Sequence, residues 1–195
     1  MVYKIIGLYC GSEEDGFSIG YVELQYQSGK WEYSEFIQST YEYPAKFISK
    51  MGTAQDLHLI DYLNMHKDLG THFAETVNNF IANNKLEYRV QLIALKGLAV
   101  VDNEKFQTEI GNPAYLAAGT GINVVADFNT IDTALGGNIS FSANDAKRLL
   151  PDVAPEIQLA LLAVLRWREE NNFIAEKTGA TRNSIGGAVW IGQEA

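Results

Sequence analysis

Alternation of apolar and polar residues dominates the first 37 positions and constrains the fold most. Tyr3 to Tyr9 alternates and ends in the glycine-flanked turn Gly11 to Gly16, and Phe17 to Tyr26 alternates again. Period-2 alternation is typical of β-strands, and Ser28-Gly29 is a common two-residue hairpin turn. Trp31 to Ile37 continues as a further strand. The sequence therefore predicts an antiparallel meander of three strands.

Helical periodicity follows the meander. From Asp56 to Asn83 the apolar residues recur at spacings of three and four, which predicts one helix with an apolar stripe. Gly70 interrupts this pattern and marks a kink or a close helix contact. The stripe consists of Leu59, Ile60, Leu63, Leu69, Phe73, Val77, Phe80 and Ile81. Another helix, Pro155 to Glu169, is apolar nearly all round, so we expect it to be buried.

Three more strands and a short helix complete the pattern. Tyr88 to Leu95 is nearly continuously apolar after Arg89, which is typical of a strand buried on both faces. Ile122 to Phe128 is a further predicted buried strand. Gly186 to Ile191 reads as a last strand, and Pro113 to Ala118 as a short helix.

This order of elements indicates an α/β fold with a mixed sheet, a single ribonuclease-H-like lobe. Actin, the chaperone ATPases and sugar kinases each use two such lobes around a nucleotide cleft, but this likeness carries no function by itself. With 195 residues the chain fits one domain, 1–195. The polar, turn-rich stretch 140–154 is the predicted linker between residues 1–139 and the C-terminal helix and strand, 155–195.

Composition excludes several classes of partner. The net charge is −9 and the 15 basic residues are scattered, so we expect no nucleic-acid binding. No apolar run approaches the ~18 residues of a membrane span. The single cysteine, Cys10, is consistent with a reducing cytoplasm. The three histidines lack the i, i+4 spacing of a helical metal site, so we expect no metal.

Two segments carry candidate chemistry. The turn Gly11-Ser12-Glu13-Glu14-Asp15-Gly16 has the glycines and hydroxyl of a phosphate-wrapping hairpin, although its carboxylates repel phosphate unless a cation intervenes. Asp127 ends a buried strand, where α/β folds place catalytic groups, and Asp132 and Gly136-Gly137 follow it. A purely structural interpretation remains open for both segments. The first is then an ordinary hairpin, and the second a capped strand end followed by a Gly-Gly turn.

These segments together resemble the anhydro-N-acetylmuramic acid kinases, which act in the recycling of cell-wall sugars. The first turn is similar to the family's Gly-Thr-Ser-x-Asp-Gly loop, and the run Thr120 to Phe128 is the most similar stretch. Further similar residues are Asp61, Leu69-Gly70, Phe73-Ala74, Val77, Ile110 to Ala114, Leu116-Ala117, Ala134 to Gly137, Ala163 to Trp167, Thr178 to Arg182 and Gly186 to Trp190. Both ends of the chain resemble the family, and the family's second lobe is missing between about Ser140 and Pro155.

The resemblance implies roles for particular residues. Asp132 corresponds to the family's catalytic base, with Asp127 beside it in the same run. Gly11, Ser12, Asp15 and Gly16 correspond to the phosphate loop. On the sugar side the corresponding residues are Asn112, Gly136 and Gly137. The resemblance also implies ATP with Mg²⁺ as cofactor of an active member, an amino-sugar ligand and a homodimer.

Departures from the family argue against activity. Lys96-Gly97-Leu98-Ala99 replaces His-Gly-Gln-Thr, and Asn129, Thr130 and Ile131 replace the arginines between the two aspartates. Phosphoryl transfer depends on such charges, and the lobe that would hold the adenosine is missing. We therefore predict a degenerate single-lobe relative without phosphotransferase activity and without a cofactor, which binds a sugar or a protein partner. A protein-interaction module, or an active kinase completed by another chain such as a full-length kinase, are the alternatives.

Overall fold

The computed structural model describes residues 1–12, 15–51, 57–102, 107–137 and 144–193. The meander is confirmed: β1 is Val2–Cys10, β2 Phe17–Gln27 and β3 Lys30–Tyr41, paired antiparallel in that order. In the turn between β2 and β3, Ser28 and Gly29 have φ of 52° and 82°. Two successive positive φ angles suit the right-handed twist of a two-residue hairpin.

A mixed sheet forms the centre of the molecule. Its further strands are β4 (Leu92–Lys96), β7 (Val124–Ala126) and β8 (Ala188–Trp190). Within the described residues the sheet has six strands in the order β3-β2-β1-β4-β7-β8. Strands β1, β4 and β7 are parallel, and β8 is antiparallel to β7. This arrangement confirms the predicted α/β lobe.

A small hairpin follows β4 and was not predicted. Strands β5 (Leu98–Asp102) and β6 (Gln107–Ile110) pair antiparallel, separately from the main sheet. The helices are α1 (Ala45–Met51), α2 (Leu59–Asn83), α3 (Pro113–Thr120), α4 (Thr130–Ala134), α5 (Ala146–Leu149), α6 (Pro155–Trp167) and α7 (Ala175–Thr178). The shortest of them, α4, α5 and α7, leave too little periodicity to be read from sequence.

Helices cover both faces of the sheet. On one face α2 and α3 pack with Leu69, Phe73 and Leu116 in a core cluster. On the other face α6 packs across β1, β2, β4 and β7. Its residues from Ile157 to Leu165 are buried except Gln158, as expected for a helix that is apolar nearly all round.

Several predicted element ends need correction. The strand expected over 122–128 is Val124–Ala126, the one expected over 186–191 is Ala188–Trp190, and α6 ends at Trp167 and not at Glu169. Leu59, Ile60 and Leu63 are exposed, because the buried face of α2 begins only at Met65. The strand expected from Tyr88 begins instead at Leu92. Tyr88 has a left-handed φ of 61° and is fully exposed, so the backbone there is not extended. Asp56, where the α2 prediction began, lies outside the described residues.

The predicted linker is only partly described, since residues 138–143 lie outside the described ranges. From Asn144 onward the chain packs rather than running free: Ala146 is fully buried against α6 and Leu150 nearly so. In the part of the chain that is described, none of the helices combines the length and apolar character needed to cross a membrane.

Candidate functional site

The carboxyl ends of the parallel strands meet at one edge of the sheet. β1 leads there into the turn from Gly11 to Gly16, β4 into the β5–β6 hairpin, and β7 into Asp127. α/β folds commonly place ligand sites at this edge. Two neighbouring cavities lie here, one lined by Gly11, Ser12, Asp15 and Gly16, the other by Asp127.

The first cavity, which we call the loop pocket, measures about 610 Å³ and contains all four predicted phosphate-loop residues in its lining. The loop closes on itself: the Ser12 hydroxyl donates to Asp15 Oδ2 at 2.6 Å, and the Gly11 N–H donates to the Gly16 carbonyl at 3.1 Å. The hydroxyl and an amide that would wrap a phosphate are therefore already engaged. Glu13 and Glu14 lie outside the described residues.

Gly16 has a steric reason to be glycine. Its φ is 72°, which side chains rarely adopt, and a Cβ there would overlap the Tyr41 carbonyl oxygen. The loop geometry thus depends on the contact between the end of β3 and the start of β2.

Glu156 is a buried residue in the lining of the loop pocket. It stands in the first turn of α6 and is 1 % exposed. Its Oε1 accepts hydrogen bonds from the Ser18 hydroxyl and, at 3.1 Å, from Gln38 Nε2. Ser18 lies 138 positions earlier in the chain. The sequence pattern showed an acidic residue at a helix start, but nothing in it indicated this long-range contact.

The second cavity, which we call the Asp127 pocket, measures about 630 Å³. Asp127 directly follows β7 with a φ of 57°, and its Oδ1 accepts a hydrogen bond from the Thr130 hydroxyl. The rings of Tyr62 and His66 stack in its wall with centroids 6.1 Å apart, and Trp190 lines it too. Burial lowers the pKa of His66, so its imidazole favours the neutral form.

Asp132 lies in the interior, apart from both cavities. It is fully buried, and its Oδ1 accepts hydrogen bonds from the Thr178 hydroxyl at 3.1 Å and the Ser184 hydroxyl at 3.3 Å. It does not line the Asp127 pocket. The two aspartates that the sequence placed together therefore face different surroundings.

The predicted sugar-side residues also lie outside the pocket lining. Asn112 caps α3, its Oδ1 accepting from the Ala114 N–H at 2.9 Å. Gly136 is exposed after α4 with a φ of 84°. Gly137 lies directly against the Asp132 carboxylate. Their immediate neighbours Gly111, Pro113 and Ala134 do line the pocket.

An ion pair lies between the two cavities. Lys96 lines the loop pocket and Glu109 the Asp127 pocket, with Lys96 Nζ 2.5 Å from Glu109 Oε1. Glu109 Oε2 accepts the Gly97 N–H at 2.8 Å. Burial raises the pKa of the Glu109 carboxyl, and the Lys96 cation opposes that rise. The sequence marks Lys96 only as a replacement of a family residue, and it does not indicate the partner Glu109, because the pairing depends on the β5–β6 hairpin.

Three or more His, Cys, Asp or Glu side chains do not converge into a metal-binding group anywhere in the described ranges. The site therefore consists of two cavities, each large enough for a small organic molecule. Carboxylates, hydroxyls and aromatic rings line them, a combination suited to polar ligands.

Such an α/β lobe, with cavities at the carboxyl edge of its sheet, belongs to the class of the actin-like sugar kinases in its fold. The sequence profile of the anhydro-N-acetylmuramic acid kinase family matches residues 3–140. This chain therefore belongs to that family.

Individual relatives agree. The chain is 30% identical over 138 residues to the anhydro-N-acetylmuramic acid kinase of Shewanella amazonensis, covering 68% of this chain and 37% of that protein. It is 26% identical over 140 residues to the anhydro-N-acetylmuramic acid kinase of Gamma-proteobacterium EBAC31A08, which again covers 68% of this chain and 37% of that protein. The kinase of a Sulfurovum species is 26% identical over 145 residues, or 69% of this chain and 38% of that protein. The matches thus extend over less than two fifths of each of these relatives.

Proposed function

We propose that this chain is a family member without phosphotransferase activity that binds an amino sugar in the Asp127 pocket. The observation that carries the proposal is the burial of Asp132, which corresponds to the family's base. A general base must come within hydrogen-bond reach of the proton that it removes. Asp132 instead accepts its hydrogen bonds from Thr178 and Ser184 inside the fold.

The groups around the loop pocket also argue against phosphoryl transfer. That reaction depends on cations and donors that stabilise the developing charge on phosphate. Here Lys96 is paired with Glu109, and Asp15 and Glu156 add carboxylates to the lining. Each of these carboxylates would repel the phosphates of a nucleotide. We infer that the stretch 140–154 stands in place of the family's second lobe, which would remove a further set of contacts. ATP and Mg²⁺ accordingly have no role in the proposed function.

Sugar binding is supported by the chemistry of the Asp127 pocket. Trp190 and the stacked Tyr62 and His66 offer apolar ring surface, which suits the faces of a sugar ring. Asp127 and Thr130 offer an acceptor and a hydroxyl for sugar hydroxyl or amide groups. The named substrate of the relatives, anhydro-N-acetylmuramic acid, is the ligand that we expect.

Calorimetric titration with anhydro-N-acetylmuramic acid tests the proposal. We expect saturable binding, weakened by about tenfold or more in Asp127→Asn and Trp190→Ala, because each substitution removes a group that would contact the bound sugar. Asparagine tolerates the left-handed backbone at position 127, so that variant should fold. Trp167→Ala, which removes a half-exposed tryptophan on α6 that does not line the pocket, is the matched control.

The titration separates the alternatives. No binding of the sugar would contradict the proposal and favour a protein-interaction module. Binding that is unchanged in both pocket variants would place the sugar elsewhere. Sugar binding that tightens with ATP and Mg²⁺ would instead favour a kinase completed by another chain.

A further inference from the structure

Glu156 leaves one carboxylate oxygen without a partner. Its Oε1 accepts from Ser18 and Gln38, whereas Oε2 is buried and has no hydrogen-bond partner among the described residues. Buried polar atoms are nearly always satisfied, and an unpaired one is costly. The first turn of α6, where Glu156 stands, also favours a negative charge. The unpaired oxygen requires a hydrogen-bond donor. Because Glu156 lines the loop pocket, a ligand in that pocket can supply the donor.

The charge of the loop pocket is inverted relative to a phosphate site. Asp15 and Glu156 both line it. The one cation in the described lining, Lys96, is held by Glu109 at 2.5 Å. An anionic ligand in this cavity would be repelled by the two carboxylates, because the cation in the described lining is already paired with Glu109. A cationic ligand would be attracted by the same carboxylates.

The remaining lining fits an organic cation better than a bare metal ion. Apolar side chains from Phe17, Leu98, Ala99 and Pro155 line the same cavity, and a volume of about 610 Å³ exceeds the needs of a single ion. A divalent cation would need several converging carboxylates, and such a group of acidic side chains is not found in the described residues. Apolar walls beside a carboxylate match an alkyl chain that ends in an ammonium group.

We propose that the loop pocket binds the primary ammonium group of a small organic amine, with Glu156 as its acceptor and the apolar walls against its alkyl chain. The exposed carboxylate of Asp15, in the same lining, adds long-range attraction. A free diamine and a lysine side chain of another protein share this chemistry. The site is separate from the Asp127 pocket, so sugar binding can succeed or fail independently of it.

Two-dimensional NMR titration of the full chain tests this site. The probes are cadaverine as a free amine and Nα-acetyl-lysine methylamide as the lysine side chain. Pentanol serves as a neutral match for the alkyl chain, and magnesium chloride and sodium phosphate as competing ions. We expect saturable shifts of the Gly11, Ser18 and Gln38 amides with an amine, absent with pentanol and phosphate. Tighter binding of cadaverine indicates a free amine, and tighter binding of the lysine derivative indicates a protein side chain.

Variants make the assignment specific. Glu156→Gln keeps the shape of the side chain but removes its charge, and it should weaken amine binding by about tenfold or more. Asp15→Asn should weaken it less, because that carboxylate is exposed. The control Glu32→Gln makes the same charge change on the exposed surface of β3 and should bind as the unchanged chain does.

Several results would overturn the proposal. They are absence of saturable amine binding, equal shifts with pentanol, binding of magnesium or phosphate in place of the amine, and unchanged amine affinity in a folded Glu156→Gln variant. If Glu156→Gln fails to fold, the Asp15→Asn variant tests the proposal instead. An amine affinity equal to that of the unchanged chain would then contradict amine binding in the loop pocket.

Discussion

Gly137 and Asp132 share a space at the end of α4 that only glycine leaves open. A Cβ at position 137 would overlap Asp132 Oδ2, and the Gly137 N–H also donates to the Asp132 carbonyl at 2.9 Å. The Asp132 side chain is held in place by Thr178 and Ser184 from the C-terminal segment. Asp132 therefore ties the end of the chain to α4.

We predict that Gly137→Ala lowers the free energy of unfolding by about 1–3 kcal/mol, the usual cost of overpacking a buried site. Chemical denaturation monitored by circular dichroism measures it. Asp132→Ala should also destabilise, because it leaves the buried hydroxyls of Thr178 and Ser184 without their acceptor.

The double variant gives the control. Removing the Asp132 carboxylate makes room for the new Cβ, so the Gly137→Ala and Asp132→Ala effects should sum to more than the effect of the double variant. Strict additivity would show that the two residues do not share this space.

His66 gives the lobe a dependence on acid. Because burial lowers the pKa of His66, the unfolded chain takes up a proton near pH 6.5 while the folded chain still resists it. Protonation thus favours unfolding, and stability falls as the pH drops below about 6.5 toward the lowered pKa. His72, whose pKa burial also lowers, contributes in the same direction.

We predict that His66→Gln reduces the loss of unfolding free energy between pH 7 and pH 5, by at most about 1.4 kcal/mol per pH unit. Urea denaturation at several pH values measures the slope. His58→Gln, at an exposed position, is the control and should leave the slope unchanged. An identical slope in both variants would show that His66 takes up its proton equally well in the folded chain.

Among the elements, α6 joins the far end of the chain to the first strands. It packs against β1, β2 and β4, and Gly7 of β1 and Gly20 of β2 both lie too close to Glu156 to accommodate a Cβ. These contacts place Glu156 beside the loop pocket. Burial of one helix face and construction of the pocket therefore depend on the same packing.

We predict that Leu162→Ala, at a fully buried position of α6, destabilises the chain by about 2–5 kcal/mol through the cavity that it leaves. Thermal and urea unfolding measure the change. Gln158→Ala on the partly exposed side of the same helix should cost about 1 kcal/mol or less, because it loses one hydrogen bond to the Val153 carbonyl. Equal effects would mean that α6 does not pack as described.

The elements that could be predicted have strong local signals. Alternation and the Ser28-Gly29 turn predicted β1 to β3, and the all-round apolar pattern predicted α6. The β5–β6 hairpin was missed because its pairing of Leu98 with Ile110 is not written in local periodicity. Tyr88 misled the β4 prediction, since an aromatic residue favours a strand but its left-handed backbone does not.

Across the whole molecule, the sequence predicts the edge of the sheet where the cavities lie, but it does not predict which side chains line them. Asp127 and the loop residues could be predicted because they follow strand ends directly. The orientation of Asp132 could not, since it depends on hydroxyls 46 and 52 positions later in the chain. The contacts of Glu156 and the Lys96–Glu109 ion pair could not be predicted for the same reason, because each depends on tertiary packing.

For the whole molecule, we propose that the lobe has kept a ligand pocket while its candidate base faces inward. The most direct measurement is transfer of radiolabelled γ-phosphate from ATP with Mg²⁺ to anhydro-N-acetylmuramic acid. It compares the purified chain, its Asp132→Asn variant and a full-length relative such as the Shewanella amazonensis kinase. We predict transfer by the relative alone, and the same background for the chain and its variant. Turnover by the chain that disappears in Asp132→Asn would show that Asp132 reaches the substrate and that this chain is an active kinase.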